Sequence, residues 1–238
     1  MDIAIGTTLA RRYVLTKPLA RGGVSTVYQA VDAYAGRRLA VKVVDDLYAG
    51  LIEHEAAMTQ LLRHPHVPKI FDVGRVTIPN GRDVGYLALE LLSGEALTHT
   101  LVNGPLPWKQ ALRVAGTAAD VLAVAHRRGV VHRDLTPANV MLTPRGTKVV
   151  DFGLAEVIGG STVTSARPTD DVYSLGTLLL EMLTGRARRS RRLDPTPVLG
   201  LPGLPSAVAE LCRACMAKNA ASRPSAREAA LAIWTLVG

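Results

Sequence analysis

The stretch Val130-Val131-His132-Arg133-Asp134-Leu135-Thr136-Pro137-Ala138-Asn139, followed by Asp151-Phe152-Gly153, decides the reading of this chain. Asp134 and Asn139 have four residues between them, in a segment that reads as loop. A carboxylate at such a point can orient or accept a hydroxyl proton, and an amide oxygen can ligate Mg²⁺. Twelve positions after Asn139, Asp151 offers a second hard oxygen ligand. Gly153 permits the sharp turn that aims it. Between the two ligands, Val140-Met141-Leu142 and Lys148-Val149-Val150 read as a hairpin around Pro144-Arg145-Gly146.

Upstream, short β-rich runs at Tyr13–Leu15, Val27–Val31 and Leu39–Val44 are separated by glycines. The stretch Leu19-Ala20-Arg21-Gly22-Gly23-Val24-Ser25-Thr26-Val27-Tyr28 lies between two of them. It suits a plain turn as well as a loop that brings backbone N–H groups to phosphate oxygens. Lys42, flanked by Val41 and Val43, needs an anionic partner, either a phosphate or a carboxylate such as Glu55 on the following helix. That helix spans about residues 51–62 and stops before His64-Pro65. Two further strands are expected near Ile70–Val73 and Tyr86–Glu90, and Ser93-Gly94 breaks the pattern.

Downstream, Pro107 opens a helix that runs to about Arg128, with Gly129 as its stop. Val172–Thr184 is apolar nearly all round, which marks a helix buried on every side. Residues from about Arg186 to Pro205 read as irregular, and helices near Ala207–Ala217 and Ala226–Leu236 close the chain. A small strand-rich lobe of about residues 1–90 therefore precedes a helical lobe of about 95–238. The hinge is expected at 91–94, and the whole chain 1–238 reads as a single domain. A cleft between two such lobes is a natural ligand site.

Composition narrows the function classes. Apolar residues make up 48% of the 238 and charged residues 20%, enough to build a core rather than a disordered chain. The net charge of +8 favours anionic partners. Five arginines within Arg186–Arg192 read as a solvated run, and without interleaved aromatics they argue against a nucleic-acid partner. The two cysteines, Cys212 and Cys215, lack the second ligand pair that a zinc site needs, and read as small apolar residues on a helix. No apolar run reaches the ~20 residues that span a bilayer, and the N-terminus has no signal-peptide pattern. A reducing, cytoplasmic location is expected.

His-Arg-Asp-x-x-x-x-Asn at 132–139, then Asp-Phe-Gly at 151–153, behind an Ala-x-Lys strand at 40–42, resembles the signature set of the protein kinases. Arg12-Tyr13, His64-Pro65, Asp171–Gly176, Glu181–Gly185 and Arg223-Pro224 extend the resemblance over about residues 9–236, in the manner of bacterial Ser/Thr protein kinases. It implies an α+β bilobal fold, with a small antiparallel-sheet N-lobe carrying one helix and a larger, mostly helical C-lobe. It implies ATP and Mg²⁺ as nucleotide and metal, and a protein hydroxyl as acceptor, the chain itself included.

The resemblance also implies residue roles. Lys42 would hold the α- and β-phosphates and pair with Glu55, rather than Glu53. Asp134 would orient or deprotonate the acceptor hydroxyl, and Asn139 and Asp151 would bind Mg²⁺. Leu89 stands at the gatekeeper position, and the backbone of Glu90 and Leu92 would meet the adenine edge. Leu19, Gly22, Val27, Ala40 and Leu142 would line the nucleotide. Asp171 would brace the His132-Arg133 turn.

Four features depart from the family pattern. Ala20 and Ser25 stand where glycine is usual. Thr136 replaces a lysine that contacts the γ-phosphate. Asp171 follows Asp151 by only twenty positions, and the Ala-Pro-Glu type motif between them is missing. Arg223 should therefore lack its usual glutamate. Ser161, Thr162, Thr164 and Ser165 are left as candidate phosphoacceptors, with Arg133 suited to receive a phosphate. These departures motivate two other readings: a pseudokinase that binds nucleotide with little turnover, and a small-molecule kinase on the same fold. Arg133 between His132 and Asp134 speaks against the latter.

Overall fold

In the computed structural model, which describes residues 2–158, 167–185 and 201–238, the chain divides into two units, Met1–Ser93 and Gly94–Gly238. The first unit is one antiparallel sheet and a helix. Its strands are β1 (Thr8–Leu9), β2 (Tyr13–Arg21), β3 (Ser25–Asp32), β4 (Arg37–Asp45), β5 (Ile70–Thr77) and β6 (Asp83–Leu89), and α1 (Ala49–Leu62) lies between β4 and β5. The sheet order is β1-β2-β3-β4-β6-β5. Strand β2 runs well beyond the expected Tyr13–Leu15, because its pairing with β3 survives two register shifts, one on each side of Lys17-Pro18. Proline cannot donate to a ladder and sits at such irregularities. The β2–β3 turn is closed by the Gly22 N–H donating to the Ser25 carbonyl at 2.8 Å.

Alternation divides the strands between the two sheet faces. One face carries Tyr13, Leu15, Tyr28, Val41, Val43, Tyr86 and Ala88, all buried in one cluster with Ile3 and Leu9. Full burial of each aliphatic side chain is worth roughly 1.5–3 kcal/mol. The polar atoms are matched: the Tyr13 and Tyr86 hydroxyls both donate to Asp72 Oδ2, at 2.9 and 3.1 Å. Buried Asp32 accepts from Arg12 Nε and Nη2, each at 2.8 Å. The register places Val27 opposite Lys42, Ala40 opposite Leu89 and Lys42 opposite Leu87, so these residues share the other face. Helix α1 covers part of that face by packing Ile52 and Ala56 against Val44 and Leu87. It ends where Arg63 turns left-handed (φ 41°), just before His64-Pro65.

The second unit is mainly helical: α2 (Leu97–Val102), α3 (Trp108–Arg127), α4 (Pro168–Thr184), α5 (Ser206–Cys215) and α6 (Ala226–Val237). Its strands are β7 (Glu95–Ala96), β8 (Val130–Val131), β9 (Val140–Thr143), β10 (Gly146–Val149) and β11 (Glu156–Val157), paired as β10-β9-β7 and β11-β8. Gly94 is tied to this arrangement. At φ 156°, a Cβ there would lie 2.0 Å from the Leu142 carbonyl oxygen, so only glycine fits. Helix α4 is buried over most of its length, as its sequence predicts, and ends at Gly185 in the left-handed region (φ 65°).

Gly176 explains the Cys-x-x-Cys pair. A Cβ there would fall 2.8 Å from Cys215 Cβ, and the Cys212 thiol donates to the Gly176 carbonyl at 3.5 Å. The cysteines are small packing residues at a close α4–α5 approach. Both are free and buried, and burial pushes both thiols up to about 12.

The long elements agree with the sequence reading within a few residues. Helix α2 and the two-residue strands β1, β7, β8 and β11 were not anticipated, since such short pieces carry no periodicity. The arginine run Arg186–Arg192 and the candidate phosphoacceptors Ser161, Thr162, Thr164 and Ser165 lie outside the described residues.

Candidate active site

In the first unit, Lys42 and Glu55 meet. Lys42 Nζ donates to Glu55 Oε2 at 2.7 Å, with the side chains only 15% and 7% exposed. Burying either charge alone would be costly, so each stabilises the other. Glu53, the other carboxylate on this helix, instead accepts from Arg75 Nε at 2.9 Å, and this bond holds its carboxyl below the ordinary range. Val27 and Leu89 are half-buried and Ala40 is buried, all on the Lys42 side of the sheet. Leu19 and Gly22, near the β2–β3 turn, are exposed. The Glu90 amide donates to the Lys69 carbonyl at 2.8 Å, and Leu92 is half-buried three residues after Leu89.

In the second unit, the β9–β10 hairpin closes the sequence gap between Asn139 and Asp151. Val140 pairs with Val149, and the Val150 amide donates to the Asn139 carbonyl at 2.9 Å. The residue before Asp151 is thus bonded directly to Asn139. Asn139 Nδ2 donates to the Asp134 carbonyl (2.9 Å) and to Asp134 Oδ2 (2.8 Å). With its NH₂ group so used, Asn139 turns its amide oxygen to the role of ligand or acceptor. Asp151 has a left-handed backbone (φ 64°), and its Oδ1 accepts from the Gly153 amide at 3.1 Å. Among the described residues no group of three or more His, Cys, Asp or Glu side chains could hold a metal. An Asn–Asp pair supplies two hard oxygen donors and leaves the remaining positions to phosphate and water, a donor set that fits Mg²⁺ and not zinc. Leu142 is half-buried on β9, opposite Glu95 and Thr147.

The turn that carries Asp134 is pinned from α4. Asp171 is wholly buried in the helix's first turn. Its Oδ2 accepts the His132 amide and its Oδ1 the Arg133 amide, both at 2.8 Å. His126 Nε2 also meets Oδ2 at 2.8 Å. These bonds hold Arg133 in the left-handed region (φ 68°), which a non-glycine L-residue adopts only when its surroundings compel it.

His132 is wholly buried, with its ring 4.5 Å from that of Phe152. Its Nδ1 accepts the Asp134 amide at 3.3 Å, so Nε2 carries the proton of the neutral ring. Burial lowers its affinity for a second proton. A neutral ring that accepts a backbone N–H is a brace and not a base.

Three arrangements go beyond the sequence reading. His126, in the last turn of α3, reaches Asp171 on α4. Arg133 Nη1 is ion-paired with Glu156 Oε1. Arg223, expected to lack a glutamate partner, has substitutes: Nη1 donates to the Thr169 carbonyl (2.8 Å) and lies 3.5 Å from Asp170 Oδ1. Its Nε donates to the Ala217 carbonyl at 2.9 Å, and the guanidinium stacks 4.9 Å from the Tyr173 ring.

An antiparallel sheet bearing a helix-paired lysine, followed by a helical unit whose Asp–Asn turn is pinned by a buried aspartate, defines the protein kinase class. The match is explicit: residues 13–170 fit the protein kinase domain, and the chain belongs to that family. It is 33% identical to the serine/threonine-protein kinase PknA of Mycobacterium tuberculosis, an alignment covering 94% of this chain and 60% of that protein. It is 31% identical to PknL of the same species, covering 90% of this chain and 63% of the relative. It is 28% identical to a probable serine/threonine-protein kinase PknB of Bifidobacterium longum, covering 94% of this chain and 39% of the relative. The chain therefore spans about 60% of the length of the relatives named PknA. The α+β kinase fold and the family expected from the motifs are the ones found.

Proposed function

We propose that the chain is an ATP- and Mg²⁺-dependent Ser/Thr protein kinase that transfers the γ-phosphate to protein hydroxyls, its own included. The observation that carries this reading is the Asp134–Asn139–Asp151 arrangement: a carboxylate held by an amide, with a second carboxylate brought alongside by a hairpin.

Asp134 is the group that takes or orients the acceptor hydroxyl proton. Asn139 Nδ2 bonds one of its oxygens, which fixes the carboxylate's rotamer. The Asn139 amide oxygen and the Asp151 carboxylate are the Mg²⁺ ligands. Mg²⁺ held there would supply positive charge to offset that on the phosphate oxygens. Lys42, oriented by Glu55, binds the α- and β-phosphates. Val27, Ala40 and Leu89 supply an apolar wall on the same sheet face, with Leu19, Gly22 and Leu142 as further contacts. The Glu90 carbonyl and the backbone of Leu92 meet the adenine edge, the Glu90 amide being used by Lys69. Most of the rate enhancement comes from positioning and charge complementarity and not from covalent chemistry. The whole chain 1–238 acts as one kinase domain. Two free cysteines suit the reducing cytoplasm, and no helix among the described residues is long and apolar enough to cross a membrane.

One observation favours a slower, nucleotide-binding module as second reading. The Gly22 amide is already committed to Ser25, and Ala20 and Ser25 stand in the flanking strands. Such a turn has fewer amides to offer phosphate. Mass spectrometry after incubation with ATP·Mg²⁺, comparing wild type with Lys42→Met, separates the two. Added phosphates on wild type alone support the kinase. Thermal stabilisation by ATP·Mg²⁺ with no added phosphate supports the module.

A further inference from the structure

Strand β11 pairs with β8 so that Glu156 faces Val131 and Val157 faces Val130. The Ile158 amide extends this ladder by donating to the Gly129 carbonyl at 2.7 Å. Because β8 leads directly into the His132-Arg133-Asp134 turn, the ladder delivers Glu156 to the side of that turn. There its carboxylate pairs with the Arg133 guanidinium, with the Glu156 side chain 17% exposed and that of Arg133 37% exposed. Arg133 is thus held by carboxylates at both ends: its amide by Asp171 and its side chain by Glu156. The next residue is Asp134.

We propose that Glu156 is a positioning residue that fixes the Arg133–Asp134 turn permanently, so that this chain needs no phosphate on its own Ser or Thr to become active. The proposal rests on the kinase reading above. A phosphate near an arginine orders a loop by charge-assisted hydrogen bonds. A carboxylate also accepts charge-assisted bonds from a guanidinium, and Glu156 brings it on the strand that flanks the turn, so little further ordering is needed. A phosphate arriving at Arg133 would have to displace Glu156 against like-charge repulsion.

The test uses the full chain and initial rates of phosphate transfer from ATP to a generic Ser/Thr peptide. Substituting alanine together at Ser161, Thr162, Thr164 and Ser165 is expected to leave kcat within about twofold of wild type, since no phosphate is required. Glu156→Gln is expected to lower kcat about 10- to 100-fold, with KM for ATP changed by no more than about threefold, because the misplaced group is Asp134. Glu156→Asp should restore part of the loss, and adding Glu156→Gln to Arg133→Met should cost nothing further. Thermal melting identifies any variant that fails to fold, in which case Glu156→Asp carries the comparison. Wild-type kcat in Glu156→Gln, or an inactive four-alanine variant, overturns the proposal. Wild-type rates no higher than those of Asp134→Asn would instead refute the kinase reading itself, and this inference with it.

Discussion

Replacing Asp171 with asparagine should unpin the turn that carries Asp134 while barely changing the volume of the side chain. In the native arrangement each Asp171 oxygen accepts a backbone N–H at 2.8 Å, and Oδ2 also meets His126. Asparagine keeps one acceptor and turns an NH₂ group toward the other site, so one buried amide faces a donor. Leaving one buried amide unsatisfied costs about 1–3 kcal/mol. Losing the charge assistance on the surviving bond adds about 1 kcal/mol. The sum is about 2–4 kcal/mol, from a total stability of about 5–15 kcal/mol. Alanine, which strands both amides, should cost more. With Arg133 no longer held at φ 68°, the turn relaxes and Asp134 moves, so phosphate transfer should fall by about 100-fold. Urea denaturation followed by circular dichroism measures the first quantity, and initial rates measure the second. An Asp171→Asn variant with an unchanged urea midpoint and wild-type rate would refute the reasoning.

Other substitutions probe the remaining contacts. Glu55→Gln should destabilise the chain by about 3 kcal/mol, because it leaves the Lys42 charge poorly compensated at 15% exposure. The Lys42→Met, Glu55→Gln double variant should be more stable than the sum of the single effects predicts, as a double-mutant cycle by urea titration would show. Arg223→Lys should lower stability by about 2 kcal/mol, since a single ammonium cannot span the Thr169 and Ala217 carbonyls as the guanidinium fork does. At high pH, Cys212, Cys215 and Tyr86 stay protonated in the fold, with values pushed up to about 12 by burial, while in the unfolded chain they ionise from about 9 or 10. The stability they support is therefore intact below about pH 9 and lost as the pH climbs toward 12. Urea midpoints across that window should fall, and Cys212→Ala should flatten part of the slope.

Much of this site is legible in the sequence, because its polar residues stand at fixed spacing on a short loop. Asp134, Asn139 and Asp151 need only one hairpin to come together, and Val140–Leu142 with Lys148–Val150 announces it. The choice of Glu55 over Glu53 comes from the family resemblance, and the structure gives a physical counterpart in the separate bond from Arg75 to Glu53. What stayed hidden depends on contacts far apart in the chain. His126 fits the apolar period of α3, and only the position of Asp171, 45 residues away, reveals its bond. Glu156 lies on a two-residue strand with no periodicity, so nothing local places it against Arg133. Arg223 finds its partners in the carbonyls of Thr169 and Ala217, and backbone acceptors leave no mark in a sequence.

The central claim is that Asp134 performs the hydroxyl chemistry on a turn built for phosphate transfer. The most direct measurement compares γ-phosphate transfer by wild type and Asp134→Asn at saturating ATP·Mg²⁺, with nucleotide affinity measured alongside. The account predicts a fall in kcat of about 100- to 10,000-fold, with nucleotide affinity nearly unchanged. Equal transfer rates in the two proteins would contradict it.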